Sequence, residues 1–62
     1  MWIRDKQGDY YNMECCSEIC YDSTFNVTKI RINHNQFVLY DGDLRRDIIT
    51  NIISGTKIME VR

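Results

Sequence analysis

The stretch DLRRDIITNIISG, residues 43–55, decides how the rest of the chain is read. Leu44, Ile48 and Ile52 fall four apart, and Ile49 and Ile53 repeat that spacing beside them. Together they make one broad apolar face at a 3.6-residue period. Arg45, Arg46, Asn51 and Ser54 lie mainly off it. Asp43, or Asp41 for an earlier start, is the expected N-cap, and Asp47 places negative charge in the early turns. Gly55 suits the position just past a helix C-terminus, because it takes positive φ without strain. Four isoleucines are poor helix formers, since β-branching removes rotamer freedom, so burial has to hold this helix. The spacing therefore predicts a helix over 43–54 with its isoleucine face, Ile48 and Ile52 included, closed onto a sheet. The competing strand, IITNII, does not alternate cleanly.

Working back towards the N-terminus, residues 27–32 do alternate. Thr28, Ile30 and Ile32 take one side, and Val27, Lys29 and Arg31 the other, as in a half-buried strand with a basic outer face. Asn33-His34-Asn35 reads as a tight connection, because asparagine tolerates left-handed geometry. Residues 36–40 form the next strand, and Asp41-Gly42 turns it into the helix. Residues 22–26 form a polar loop, with Phe25 expected to anchor it to the core. In residues 14–21 a bend near Ser17 precedes a strand at 18–21, which puts Ile19 and Tyr21 on one face and Cys20 on the other. Trp2-Ile3-Arg4 and Tyr10-Tyr11-Asn12-Met13 flank a turn containing Gly8, a first hairpin that sets Trp2 or Ile3 across from a tyrosine. After Gly55, residues 56–61 read as a final strand with apolar residues on both faces. That fits an interior position, or an edge that meets another subunit.

The expected order is β-β-(β)-β-β-α-β in a single small α+β domain spanning 1–62. The expected architecture is a small, mostly antiparallel, curled sheet of 4–5 strands packed by one helix. Sixty-two residues allow one modest core, since a chain this short buries only about 60% of the surface its unfolded form exposes. Eight basic and nine acidic residues are nearly balanced, which argues against a general polyanion binder while allowing a local patch. No apolar run approaches the roughly 18 residues a membrane span needs, and Met1 to Asp9 has no signal-peptide pattern. The reading is no membrane. Three cysteines, an odd count, favour reduced thiols and a cytoplasmic location.

Cys15, Cys16 and Cys20 with His34 have the wrong spacing for a common zinc site, and buried or half-buried thiols are the simpler account. No local arrangement makes a cysteine nucleophile with His34, which reads as a turn residue. Asp41-Gly42-Asp43 lacks the remaining positions of a calcium loop. The sequence predicts no catalytic residue, no cofactor and no metal. The surface to examine is Lys29, Arg31, Tyr40, Arg45, Arg46 and Asn51, where cations and an aromatic side chain offer either a protein interface or a stacking site for single-stranded nucleic acid.

The opening Met1-Trp2-Ile3-Arg4, followed by Lys6, Gly8 and Asn12, resembles the start of small uncharacterised proteins of Firmicutes and their phages. Phe37-Val38-Leu39 ahead of a helix is similar to that group's middle segment. The Cys15-Cys16 pair and the strand after Gly55 depart from its pattern. The resemblance implies a cytoplasmic or phage-borne accessory protein, with no catalytic residues to carry over. In scale and acidity the chain is also similar, as a class, to phage inhibitors of host defence systems such as anti-CRISPR proteins. The leading expectation is a non-enzymatic accessory protein that acts by protein–protein interaction and self-associates, for example as a homodimer. A nucleic-acid-binding module with a local basic patch is the alternative.

Overall fold

A computed structural model gives the structure of residues 1–33 and 35–61. Among them the chain forms β1 (Trp2–Arg4), β2 (Tyr10–Asn12), a 3₁₀ turn (Met13–Cys15), β3 (Cys16–Asp22), β4 (Val27–Ile32), β5 (Gln36–Asp41), α1 (Arg45–Ile53) and β6 (Ile58–Glu60). The expected single curled sheet is not what forms. The strands divide into two open three-stranded sheets, ordered β2-β1-β6 and β3-β4-β5, and neither closes on itself. The division arises because β6 leaves the helix to pair in parallel with β1, Trp2 beside Ile58 and Arg4 beside Glu60. The two ends of the chain thereby make their own sheet, with β6 at its edge.

The second sheet follows its side-chain alternation. On β4 the side chains of Thr28, Ile30 and Ile32 are buried while Val27, Lys29 and Arg31 are half-buried. Residues paired across antiparallel strands share a face, so Ile19 and Val38 flank Ile30, and Tyr21 and Tyr40 flank Thr28 on the inner side. The bend at Ser17 is a β-bulge: Cys16 pairs with Ile32 and Glu18 with Arg31, which leaves Ser17 unmatched. Ile3, paired with Tyr11 and Met59 in the first sheet, joins Ile30, Ile32, Tyr40, Met13 and Ile48 in one core cluster. The first sheet and the helix thus share the inner face of the second.

The helix is shorter than 43–54 and covers less than its apolar face allows. Ile48 is fully buried, but Ile49, Ile52 and Ile53 are exposed, Ile52 at 46%. A nine-residue helix that shares its supporting face with another sheet buries one row of side chains, and the adjacent row stays in water. Its N-cap is Leu44 with no side-chain cap. The start is held from inside by buried Thr28, whose Oγ1 donates to the Gly42 carbonyl at 2.6 Å and accepts from the Leu44 N–H at 2.8 Å, and from outside by Asp43, one residue before the N-cap, whose Oδ1 accepts the Arg45 N–H at 3.2 Å. At the other end Gly55 (φ 74°) closes a Schellman motif: its N–H donates to the Ile52 carbonyl at 3.1 Å and the Thr56 N–H to the Asn51 carbonyl at 3.0 Å.

Phe25 does not anchor its loop and is 75% exposed. The Asp22 carboxylate accepts the N–H of Thr24 at 2.9 Å, and Asn26 takes positive φ (52°). The connection tightens around Asp22 and carries Phe25 at its tip. His34, read as a turn residue, lies outside the described residues.

Candidate interaction surface

The registers of β3, β4 and β5 place nine outward-facing positions in three rows. Glu18, Arg31 and Phe37 form the first, Cys20, Lys29 and Leu39 the second, and Asp22, Val27 and Asp41 the third. Phe37 is 44% and Leu39 58% exposed, so this outer face is open to solvent. The Arg31 guanidinium carbon lies 4.5 Å from the centre of the Phe37 ring, and the Lys29 ammonium 5.2 Å from it. Each contact is a cation–π interaction worth about 0.5–1 kcal/mol at an exposed site. The aliphatic stems of Lys29 and Arg31 extend the apolar surface while their charges stay in water. The strip is acidic along β3, basic at its centre and apolar along β5, with carboxylates at Asp22 and Asp41 marking one end.

The six residues expected to share a surface do not. Lys29 and Arg31 meet on this outer face. Tyr40 points the other way, lies in the core at 6% exposure, and its hydroxyl has no hydrogen-bond partner among the described residues. Burial and the neighbouring Asp5 and Tyr11 push its pKa up to about 12. Arg45 sits over the ring of Tyr21, 5.2 Å from its centre, on the inner side of β3. It also makes a fork to Asp43, with Nε to Oδ1 at 2.9 Å and Nη2 to Oδ2 at 2.8 Å. These bonds hold the Asp43 carboxyl below its ordinary value and raise Arg45. Arg46 is exposed beside a shallow hollow that it shares with Arg45, Asp47 and Ile49. Asn51 donates back to the Asp47 carbonyl at 2.7 Å, a bond within the helix.

Phe37 and Leu39 were not singled out from the sequence, although the signal was present. They occupy alternate positions in 36–41, and a hairpin around residues 33–35 brings those positions beside Arg31 and Lys29. Among the described residues two further groups of exposed apolar side chains stand together. One is Ile49, Ile52 and Ile53 on the helix. The other is the outer face of the first sheet, where Trp2, Tyr10 and Ile58 are exposed and Arg4 lies 5.9 Å from the Tyr10 ring centre while pairing with Glu60 at 3.0 Å.

The three cysteines are free thiols, with Cys15 exposed and Cys16 and Cys20 half-buried. Cys16 Sγ donates to the Glu18 carbonyl at 3.4 Å, and Cys20 Sγ lies 3.9 Å from a Glu18 carboxylate oxygen. Among the described residues no group of three or more His, Cys, Asp or Glu is placed to hold a metal ion. No helix among them is long and apolar enough to cross a membrane. Comparison with protein-family models, curated proteins and solved structures finds no match.

Proposed function

We propose that the protein is a non-enzymatic binding module that acts by protein–protein interaction, with the outer face of the β3-β4-β5 sheet as its contact surface. The observation that carries this reading is the exposed pair Phe37 and Leu39 with Arg31 and Lys29 stacked against Phe37. Aromatic and arginine side chains dominate the energetics of protein interfaces. Here they stand on a sheet whose other side is the core, so little order has to be acquired on binding. The exposed isoleucines of α1 supply a second, separate apolar area that supports self-association.

Affinity capture from the native host tests the sheet face, with the wild-type chain compared against the double variant Phe37→Ser, Leu39→Ser. Both substitutions are on the exposed side and leave the core intact, which circular dichroism verifies. The wild type is expected to retain a partner that the double variant loses. A partner held equally by both overturns the assignment to this face. Light scattering over a concentration series tests self-association, which Ile49→Ser with Ile53→Ser is expected to abolish.

A second reading rests on the same ring. An aromatic side chain flanked by two cations also suits a base and its phosphates in single-stranded nucleic acid. Fluorescence anisotropy of a labelled single-stranded oligonucleotide at low salt separates the two readings: binding that Arg31→Ala weakens and added salt abolishes favours nucleic acid.

A further inference from the structure

The outward side of α1 carries its charges the wrong way round for an isolated helix. At about 100° per residue, Arg46, Ile49, Thr50 and Ile53 fall on one stripe, opposite buried Ile48. All four are exposed, Ile53 at 80%. Peptide dipoles sum along a helix, so cations are favoured at its C-terminus and anions at its N-terminus. Here two arginines open the helix, and its last turn has no basic residue. The two arginines are not equivalent. Arg45 is neutralised by its fork to Asp43 and lies over the Tyr21 ring. The Arg46 guanidinium makes no hydrogen bond and no ion pair among the described residues. Asp47, the acid of that first turn, falls on the flank towards Asn51, away from Ile49 and Ile53. At the other end the Gly55 and Thr56 N–H groups take the carbonyls of Ile52 and Asn51, and those of Ile53 and Ser54 accept none among the described residues. Lys57, the next cation along the chain, makes no side-chain hydrogen bond or ion pair among those residues.

A second copy of the helix supplies what each end lacks. We propose that two chains pair through α1 in the antiparallel sense, across a two-fold axis near Ile49 and Thr50. The Ile49 and Ile53 side chains of both copies form the seam. Arg46 of each copy lies against the C-terminal carbonyls of the other helix, because an axis there sets it opposite the partner's Ile53. Each surface then meets its own complement, as an isologous contact requires. A parallel pairing would bring four arginines and two like helix poles together, so charge selects the antiparallel sense. A nine-residue helix is only about 13 Å long at 1.5 Å per residue. A contact of that length is smaller than those of permanent dimers, so the pairing depends on concentration. This inference rests on the self-association reading and gives it a surface and a direction. The sheet face with Phe37 and Leu39 takes no part and stays open to a different partner.

The test is sedimentation equilibrium over a concentration series at low, fixed ionic strength, with circular dichroism verifying that each variant is folded. Arg46→Glu is expected to weaken the dimer about tenfold, because an anion then meets the negative end of a helix twice in each dimer. Ser54→Lys, exposed just past Ile53, is expected to weaken it too, by facing the partner's Arg46. Combined, the two substitutions exchange the charges across the contact and are expected to restore the wild-type affinity. Lost folding or lost apolar surface does not produce that rescue. A dimer tightened by Arg46→Glu, or indifferent to both charge variants, overturns the antiparallel pairing. A dimer that survives Ile49→Ser with Ile53→Ser, or that Phe37→Ser with Leu39→Ser abolishes, overturns the helix as the seam and leaves self-association standing. A chain that is monomeric at every concentration overturns self-association and this pairing together, and leaves the sheet-face reading untouched.

Discussion

The two sheets of this protein are held in different ways. The second, β3-β4-β5, has strands of six and seven residues joined by connections of three and four residues, and its ladders run the whole length of β4. The first, β2-β1-β6, has three strands of three residues, and its parallel pair joins the two ends of the chain. Short-range pairing needs little loop closure, whereas the β1–β6 pair closes a loop of most of the chain. The first sheet has too few ladder bonds to stand alone. It persists because Ile3, fully buried, and Met59, 8% exposed, reach the same cluster as Ile30 and Ile32. One sheet is organised along the sequence, and the other is organised by the core the first one offers.

The sharpest way to break this comparison is to remove one buried isoleucine from each sheet. Ile3→Ala and Ile30→Ala should each cost about 2–5 kcal/mol, because both leave a cavity in the shared cluster. A single-core chain of this size rarely has more than about 3–5 kcal/mol in total, so both variants are expected to be largely unfolded at 25 °C. Urea titration followed by circular dichroism measures this. If Ile3→Ala instead loses only the first sheet, with β3-β4-β5 still protected from hydrogen exchange, the first sheet is an appendage and the single cooperative core is wrong.

The helix between β5 and β6 links the two regions, and its isoleucines divide in the same sense. Ile48→Ala should cost about 2–5 kcal/mol, since this side chain is fully buried in the cluster. Ile52→Ala, at a half-exposed position, should stay within about 0.5 kcal/mol. Thermal melts of the two variants check this, and a comparable loss from both would mean that Ile52 is covered in solution by another copy of the chain.

These divisions explain what the sequence disclosed. Alternation in 27–32, positive φ at Asn33, the bulge at Ser17 and the Gly55 stop are all local, and each is written in a few adjacent residues. The pairing of β1 with β6 is not local, and three-residue strands carry no periodicity from which a partner could be chosen. That is why one curled sheet was expected where two sheets form. The isoleucine period in 44–53 correctly marks a helix, but a period states only which side chains share a face. How much of that face is buried depends on the space the first sheet leaves beside it. The site residues divide the same way. Lys29 and Arg31 follow from alternation on β4, whereas Tyr40 falls on the buried side of β5 because its partner in the ladder is Thr28. Phe37 and Leu39 alternate in 36–41 and so share a face in the sequence, but which face, and that it lies beside Arg31 and Lys29, follows from the register of β4 with β5.

The start of the helix offers the smallest and most discriminating contrast, between a buried tether and an exposed one. Thr28 lies in the second sheet and holds the backbone of Gly42 and Leu44, and so sets the direction in which the chain leaves β5 for β6. Thr28→Val keeps the shape but leaves that carbonyl and N–H without their partner, a loss of about 1–3 kcal/mol. Its effect should be felt first in the first sheet, as faster hydrogen exchange at Trp2 and Val61, whose N–H groups donate to Lys57 and Arg4. Asp43 tethers the same turn from outside through its fork to Arg45. Because those bonds lower the Asp43 carboxyl in the folded chain, its contribution is fully present above the ordinary carboxylate pKa and is lost as pH falls through the lowered value. The pair is open to water, so Asp43→Asn should shift the melting temperature less than Thr28→Val at pH 7, and should flatten the acid limb of the pH–stability curve without altering the exchange of Trp2 or Val61. Faster exchange at those two amides in the Asp43 variant would mean that the exposed fork, and not Thr28, steers the chain from one sheet into the other.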